Sequence, residues 1–326
     1  MAYLKEREVA IAAAAAAGRL CEKVRQTISP EAIEKKDKSP VTIADYGAQA
    51  VICRALEAEF PNDPIVGEED AAELRTPEMS DRLAQVTQFV QDVVADATPE
   101  QVSDWIDRGN GEACERFWTL DPIDGTKGFL RKDQYAVALA LIENGEIKVG
   151  VLACPALKFE DTPEAGLLFV AVRGEGAFMM PMNGGDETKL QVVSTDDTAN
   201  MRFVESVESG HGDQERQGAI AKAAGIVSES LRMDSQAKYG AVSAGKAALY
   251  LRLPSPKYPN YTEKIWDHAA GVIIAEEAGG KATDMYGKTL DFSKGAKLFD
   301  NKGVVVSNGI IHDKVIDALQ ASYATS

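Results

Sequence analysis

Two carboxylates three residues apart dominate the stretch FWTLDPIDGTKGFLR, from Phe117 to Arg131. Pro122 presets the backbone and removes one N–H, and Gly125 admits a geometry that other residues resist. The turn can therefore aim Asp121, Asp124 and the intervening Ile123 carbonyl at one point. Hard divalent cations such as Mg²⁺ take oxygen ligands of this kind. Gly125, Thr126 and Lys127 then offer backbone N–H groups where a helix can begin, which suits a phosphate. Taken alone, a D-x-x-D-G is more often a surface turn closed by its own Asp side chain.

Further acidic stretches bear on that choice. Val66–Asp70 reads VGEED after the apolar entry FPNDPI, and alone it reads as a solvated charge run. KIWDHAAG places Asp267 between aromatic and small residues at a helix start, where it could serve as an N-cap. Asp45, in TIAD, could cap a helix in the same way.

In this order and at these separations, V-G-E-E-D, W-T-L-D-P-I-D-G-T and I-W-D-H-A-A-G resemble a known superfamily. It is that of the lithium-sensitive, magnesium-dependent phosphatases, which joins inositol monophosphatase and fructose-1,6-bisphosphatase. The match spans essentially the whole chain. D-G-T-K-G-F-L-R (Asp124–Arg131) is similar to the 3′(2′),5′-bisphosphate nucleotidase branch, whereas the inositol branch usually has Asn-Phe after D-G-T. E-S-V-E-S-G-H ending at His211, D-S-Q-A-K-Y at Asp234–Tyr239 and Y-L-R-L-P at Tyr250–Pro254 resemble that branch too. Gly212 and Asp213, after His211, depart from its serine-rich pattern.

The resemblance implies a fold, a cofactor and a division of labour. The fold would be α/β (α+β), a layered αβαβα sandwich. Two or three Mg²⁺ ions would be held by Glu68, Asp121, the Ile123 carbonyl, Asp124 and Asp267, with Li⁺ as an inhibitor. Glu68 and a Thr126–Asp45 pair would orient and deprotonate the attacking water. Gly125, Thr126 and Lys127 would bind the transferred phosphate. Ser235, Lys238 and Arg252 would hold the nucleotide and its retained phosphate, with His211 near the base or ribose. The implied substrate is 3′-phosphoadenosine 5′-phosphate, cleaved to AMP and phosphate, with the 5′-phosphosulfate analogue as a second. An inositol or sugar phosphate is the alternative. Otherwise Lys238 and Arg252 read as solvated surface cations, His268 as a packed or capping histidine, and His312 as tail surface. Gly240–Ala247 nearly matches the nucleoside-triphosphate P-loop, but Ala247 replaces the hydroxyl that should bind Mg²⁺. It reads instead as a small-residue helix packed on a sheet.

The elements that must position these residues follow from periodicity. Residues 2–28 and 41–59 read as helices, with the charged loop EKKDKSP between them. Residues 75–116 read as an acidic, irregular and mobile excursion with one helix near 80–94. YAVALALIENGEIKVGVLACP holds two apolar runs joined by Asn144-Gly145, a strong hairpin signal, and GLLFVAVRGEGAFMM repeats the pattern. After residue 195, MRFVESVE, IVSESLRMD, AALYLRLP and GGKATDM read as short strands between helices at about 213–224, 241–248 and 266–278. The expected organisation is an α+β lobe over 1–195, carrying the antiparallel sheet and most metal ligands. An α/β lobe over 196–326, packed closely against it, carries the nucleotide contacts and Asp267.

With 326 residues, 51 acids and 35 bases, the chain has a formal net charge of −16. That argues against a general nucleic-acid or anionic-membrane surface, but not against a phosphorylated small molecule beside divalent metals. Cys21, Cys53, Cys114 and Cys154 form no C-x-x-C pair, so buried reduced thiols and a cytoplasmic location are expected. IAAAAAAG reads as part of an Ala-rich opening helix and not as an export signal. A nucleotide bisphosphate is the expected small-molecule partner, and the chain is expected to be a monomer, with a dimer as the alternative.

Overall fold

The computed structural model describes residues 2–27, 33–34, 40–208, 213–255 and 257–324. The chain opens with α1 (Leu4–Thr27), passes a short antiparallel pair, β1 (Ile33–Glu34) and β2 (Pro40–Val41), and enters α2 (Ile43–Glu59). β3 (Ile65–Gly67), α3 (Ser80–Val90), α4 (Pro99–Asp107), β4 (Arg116–Asp124) and the short α5 (Thr126–Arg131) follow. A meander comes next, of β5 (Ala136–Glu143), β6 (Glu146–Cys154), β7 (Leu167–Val172), β8 (Gly176–Pro181) and β9 (Thr188–Lys189). The remainder alternates β10 (Phe203–Glu205), α6 (Gln214–Ala223), β11 (Leu231–Arg232), α7 (Ala237–Ser243), β12 (Leu249–Arg252) and α8 (Ala269–Glu277). It closes with β13 (Lys281–Thr283), β14 (Val304–Ser307) and α9 (His312–Ala324).

Two sheets result. The first runs β3-β4-β5-β6-β7-β8-β9 and is antiparallel apart from the β3–β4 pair. The second runs β11-β10-β12-β14-β13, with β10 parallel to both its neighbours. Side-chain alternation sorts the layers. On β5 and β6, Val137, Leu139, Val149 and Val151 pack with the apolar faces of α1 and α2. Ala138, Ala140 and Leu152 point the other way, into a core shared with α7, α8, Val204, Tyr250 and Val306. Leu249, Leu251 and Val305 leave the second sheet on its far side, against Ile220 of α6 and Val315 and Leu319 of α9. The order of layers is therefore helices, sheet, helices, sheet, helices, the αβαβα arrangement anticipated above.

Both hairpins stand where expected. Asn144 (φ 54°) and Gly145 (φ 75°) form the β5–β6 turn. Other expectations change. The helix expected near 80–94 is present as α3, but the rest of 75–116 is less irregular than expected: it adds α4, for which Thr98 and Gln101 form a capping box. Arg75 pairs with both Asp104 and Asp107 across that segment. The helix placed at 241–248 lies four residues earlier, as α7, because Gly245 at φ 69° ends it. The P-loop-like stretch thus starts inside α7, where Gly240 lies against the ring of Phe169. His312 is not surface: it is fully buried, with its ring nitrogens 2.8 Å from Thr283 Oγ1 and 2.9 Å from Ser307 Oγ. Cys21, Cys53 and Cys154 are buried free thiols, whereas Cys114 is exposed. Among the described residues no helix is long and apolar enough to cross a membrane.

Candidate active site

The site grows from the C-terminal end of β4. Between Asp121 and Asp124 the register against β5 shifts: Asp121 faces Ala138 while Asp124 faces Ala136. The extra residue makes a bulge, and a bulge is where a strand tolerates a proline, here Pro122. Asp121 Oδ1 accepts from the Ile123 N–H at 3.1 Å, which turns the Ile123 carbonyl outward to Thr126 Oγ1 at 3.3 Å. Gly125, at φ 87°, adopts a left-handed conformation and starts α5. A Cβ at Gly125 would lie 3.0 Å from Ser235 Cβ, so this glycine also lets the loop before α7 close on the motif.

Other elements complete the cleft. Glu68 follows β3, and its N–H donates to Leu120 O on β4 at 3.1 Å. The fully buried Gln49 of α2 braces the next residue: its Nε2 donates to Glu69 O at 2.5 Å and to Ile106 O at 2.9 Å. Asp267 stands two residues before α8. A Cβ at Gly271 would meet the Tyr239 ring at 2.3 Å, so α7 and α8 touch only because this position is bare. Glu68, Asp121, Asp124 and Asp267 then line one cleft of about 250 Å³ with Lys238 and Arg252.

The electrostatics suit a hard divalent cation. Burial, then Glu68 and Asp124, push the Asp121 carboxyl well above the usual range. Burial, then Asp124 and Glu68, do the same to Asp267. Burial raises Asp124 as well, against the pull of Lys238. Carboxylates that raise one another in a buried cleft are the donor set of a hard divalent cation such as Mg²⁺. One ligand atom each of Glu263, Asp267 and His268 also lie within 4.8 Å of one another. That trio is a poorer ion site, since Glu263 already meets Arg252 Nε at 3.3 Å and His268 Nε2 at 3.1 Å.

Facing the carboxylates are two cations, the buried Lys238 and the half-buried Arg252. Burial, with Arg252 adding to it and Asp124 opposing, brings the Lys238 ammonium down to about 8. Lys238 Nζ sits 5.3 Å from the centroid of the Tyr250 ring, and among the described residues no carboxylate forms an ion pair with it. Burial works against the charge of Arg252, but Glu263 holds its pKa above the usual arginine value. Burial would raise Glu263, yet Arg252 and His268 bring it down to about 2.

Of the residues singled out in the sequence, Glu68, Asp121, Ile123, Asp124, Gly125, Thr126, Lys127, Ser235, Lys238, Arg252 and Asp267 line this one cleft. Lys238 and Arg252 are therefore not solvated surface cations. Asp45 lies outside it, at the third position of α2, where its Oδ2 accepts from the Thr42 N–H at 2.7 Å and Thr42 Oγ1 at 2.6 Å. Thr126 Oγ1 donates to the Ile123 carbonyl. His211 lies outside the described residues. The cleft also takes in Gln236, Tyr250, Tyr261 and His268. Gln236 and Tyr250 fall inside the quoted motifs, and His268 is the buried histidine expected, with its ring in the cleft wall. Tyr261 had no signal, being one tyrosine in a polar loop.

Comparison with known proteins agrees with this geometry. The sequence pattern described as "Inositol monophosphatase family" matches residues 4–324. A protein of Emericella nidulans named 3′(2′),5′-bisphosphate nucleotidase is 43% identical, covering 98% of this chain and 99% of its own. A Schizosaccharomyces pombe protein of the same name is 43% identical over 98% of this chain and 96% of its own. Among solved structures, the IMPase of Thermotoga maritima superposes with a TM-score of 0.69 at 24% identity, covering 99% of each chain, and so shares the fold. A match over nearly the whole length, with the acidic motifs gathered in one cleft, places the chain: it belongs to the inositol monophosphatase family.

Proposed function

We propose that this protein hydrolyses the 3′-phosphate of 3′-phosphoadenosine 5′-phosphate to give AMP and phosphate, and accepts the 5′-phosphosulfate analogue. The observation that carries this reading is the pairing of two unlike halves in one cleft. Glu68, Asp121, Asp124 and Asp267 form an acidic half, and Lys238 and Arg252 a cationic half. A monophosphate would need only the first. A substrate with a second, retained phosphate uses both, and the two relatives above are named for acting on a bisphosphate.

In this reading Glu68, Asp121, Asp124, Asp267 and the Ile123 carbonyl hold two or three Mg²⁺. Bound there, the metal supplies phosphate charge neutralisation, an acidic water and a stabilised leaving oxygen. Glu68 and Thr126 keep the attacking water in line. Asp45 serves as proton partner once Thr126 turns from the Ile123 carbonyl. The N–H groups of Gly125, Thr126 and Lys127 receive the transferred phosphate. Ser235, Lys238 and Arg252 fix the retained one, so remote binding orients the reacting ester. The acidic half comes mostly from the lobe before residue 195 and the cationic half from the lobe after it.

The test is phosphate release with Mg²⁺ from 3′-phosphoadenosine 5′-phosphate, inositol 1-phosphate, inositol 1,4-bisphosphate and fructose 1,6-bisphosphate, each with and without millimolar Li⁺. The nucleotide should be strongly preferred and Li⁺ should inhibit. Preference for an inositol or sugar phosphate would keep the metal half and overturn the substrate.

A further inference from the structure

Behind the cleft wall runs a chain of contacts that the roles above leave unused. Arg252 Nε donates to Glu263 Oε1 at 3.3 Å, and Glu263 Oε2 lies 3.1 Å from His268 Nε2. His268 Nδ1 lies 2.8 Å from the Tyr239 hydroxyl, next in sequence to Lys238. Glu263 is 5% exposed and His268 2%. The Tyr239 ring meets Tyr250 edge-on at 5.2 Å, and the Lys238 ammonium stands over that same Tyr250 ring.

Arg252 carries five N–H donors in a rigid plane. Glu263 takes only the Nε edge, and no partner among the described residues takes Nη1 or Nη2. Fixing one edge of a planar fork fixes the direction of the other, which here lines the cleft. Arg252 also lowers the Lys238 pKa, so the two cations repel each other. Without a carboxylate behind it, the guanidinium would lose both its anchor and its countercharge.

We propose that Glu263 is a positioning residue for the retained phosphate, acting through Arg252 and never touching substrate or metal. The proposal rests on the bisphosphate reading and names the group that sets its specificity. His268 and Tyr239 tie the same carboxylate to the backbone beside Lys238, so one buried anion aligns both cations.

The test compares Glu263→Gln with the wild type on 3′-phosphoadenosine 5′-phosphate and on adenosine 3′-monophosphate, which has the same scissile ester and no second phosphate. For the bisphosphate, KM should rise about tenfold, with kcat within about twofold, since one charge-assisted contact is weakened. Constants for the monophosphate and the Mg²⁺ requirement should not move. Glu263→Asp should recover part of the loss, and Arg252→Ala/Glu263→Gln should lose no more than Arg252→Ala alone. Equal losses on both substrates, additive losses in the double variant, or a raised Mg²⁺ requirement would overturn the assignment. The last would make Glu263 a metal ligand with Asp267 and His268. Calorimetric binding of AMP against adenosine gives a readout without turnover. A wild type that binds AMP through its phosphate but releases none from the bisphosphate would refute the activity alone. Unchanged AMP binding in Glu263→Gln and Glu263→Asp would refute the positioning role alone.

Discussion

The backbone N–H of Gln236 donates to the Asp124 carboxylate at 2.5 Å. This bond joins the loop before α7, which belongs to the second sheet, to the end of β4 in the first. Arg131 of α5 reinforces it through an ion pair with Asp234, and Gln236 Nε2 reaches Trp266 O at 2.9 Å beside Asp267. The cleft is therefore a product of docking. Neither sheet alone brings Asp124, Ser235 and Asp267 together.

Gly125 is where that docking is most easily disturbed. Gly125→Ala places a side chain at φ 87°, a left-handed geometry that costs about 1–2 kcal/mol, and drives its Cβ to 3.0 Å from Ser235 Cβ. Thermal unfolding should show a loss of about 2 kcal/mol. A misplacement approaching 1 Å can cost up to about 100-fold, so kcat/KM should fall by more than the stability change suggests. Wild-type kcat/KM in this variant would show that closure of the Ser235 loop on β4 does not align the site.

Asp121 offers a test of the cation fit. Its carboxyl is raised by burial first and by Glu68 and Asp124 next. A raised carboxyl binds its proton more tightly folded than unfolded, so its contribution to stability is present below the ordinary carboxylate range and is lost as pH rises. Without metal, Asp121→Asn should be at least as stable as the wild type at neutral pH, with a flatter profile above pH ~4. Mg²⁺ should raise the Tm of the wild type and do so much less for the variant. Turnover should fall at least about 100-fold, beyond what outer-shell losses cost. Equal Mg²⁺ stabilisation of both proteins would remove Asp121 from the ligand set.

Much of this site was legible in the sequence because its parts sit in short contiguous motifs. D-P-I-D-G-T encodes its own bulge, left-handed glycine and helix start, so the convergence of Asp121, Asp124 and Gly125 on one cleft could be read locally. Asp267 and Ser235 were readable only by resemblance, since their place depends on the two sheets meeting. Glu263 and Tyr261 were not readable, as nothing in NYTEKIW distinguishes a buried carboxylate from a solvated one. β14 was missed because VVVS is buried on both faces and shows no alternation. The four acidic residues that α3 and α4 hold in Asp81, Glu100, Asp104 and Asp107 made that region look irregular. Its order comes from α2 beneath it and from the contacts of Arg75.

The role proposed for Lys238 implies a pH limit on affinity. Burial brings its ammonium down to about 8, so the charge facing the retained phosphate disappears as pH rises through that value. KM for the bisphosphate should climb above pH about 8, while KM for adenosine 3′-monophosphate should not. Lys238→Arg should move that rise to higher pH, because guanidinium keeps its proton. Lys238→Ala should raise KM for the bisphosphate about 10- to 100-fold. Parallel pH profiles of KM for the two substrates would separate Lys238 from the retained phosphate.

His312, which is not among the residues lining the cleft, makes a prediction about stability alone. It begins α9 and is held between Thr283 Oγ1 of β13 and Ser307 Oγ of β14, at 2.8 and 2.9 Å. Burial, with the nearby Lys281 adding to it, lowers its pKa to about 4. A histidine lowered on folding is neutral in the native state while the unfolded chain still takes up a proton. Its stabilisation is complete above the ordinary histidine value near 6.5 and is lost as pH falls through about 4. The drop across that window should be about 3 kcal/mol at most. His312→Gln, which cannot titrate, should cost about 1–3 kcal/mol at pH 7 through imperfect pairing with the two hydroxyls. Its stability should then decline less steeply than the wild type's between pH 6.5 and 4. Chemical denaturation at closely spaced pH values reads both effects. A parallel decline in the two proteins would mean that His312 takes up its proton without disturbing the contact of α9 with β13 and β14.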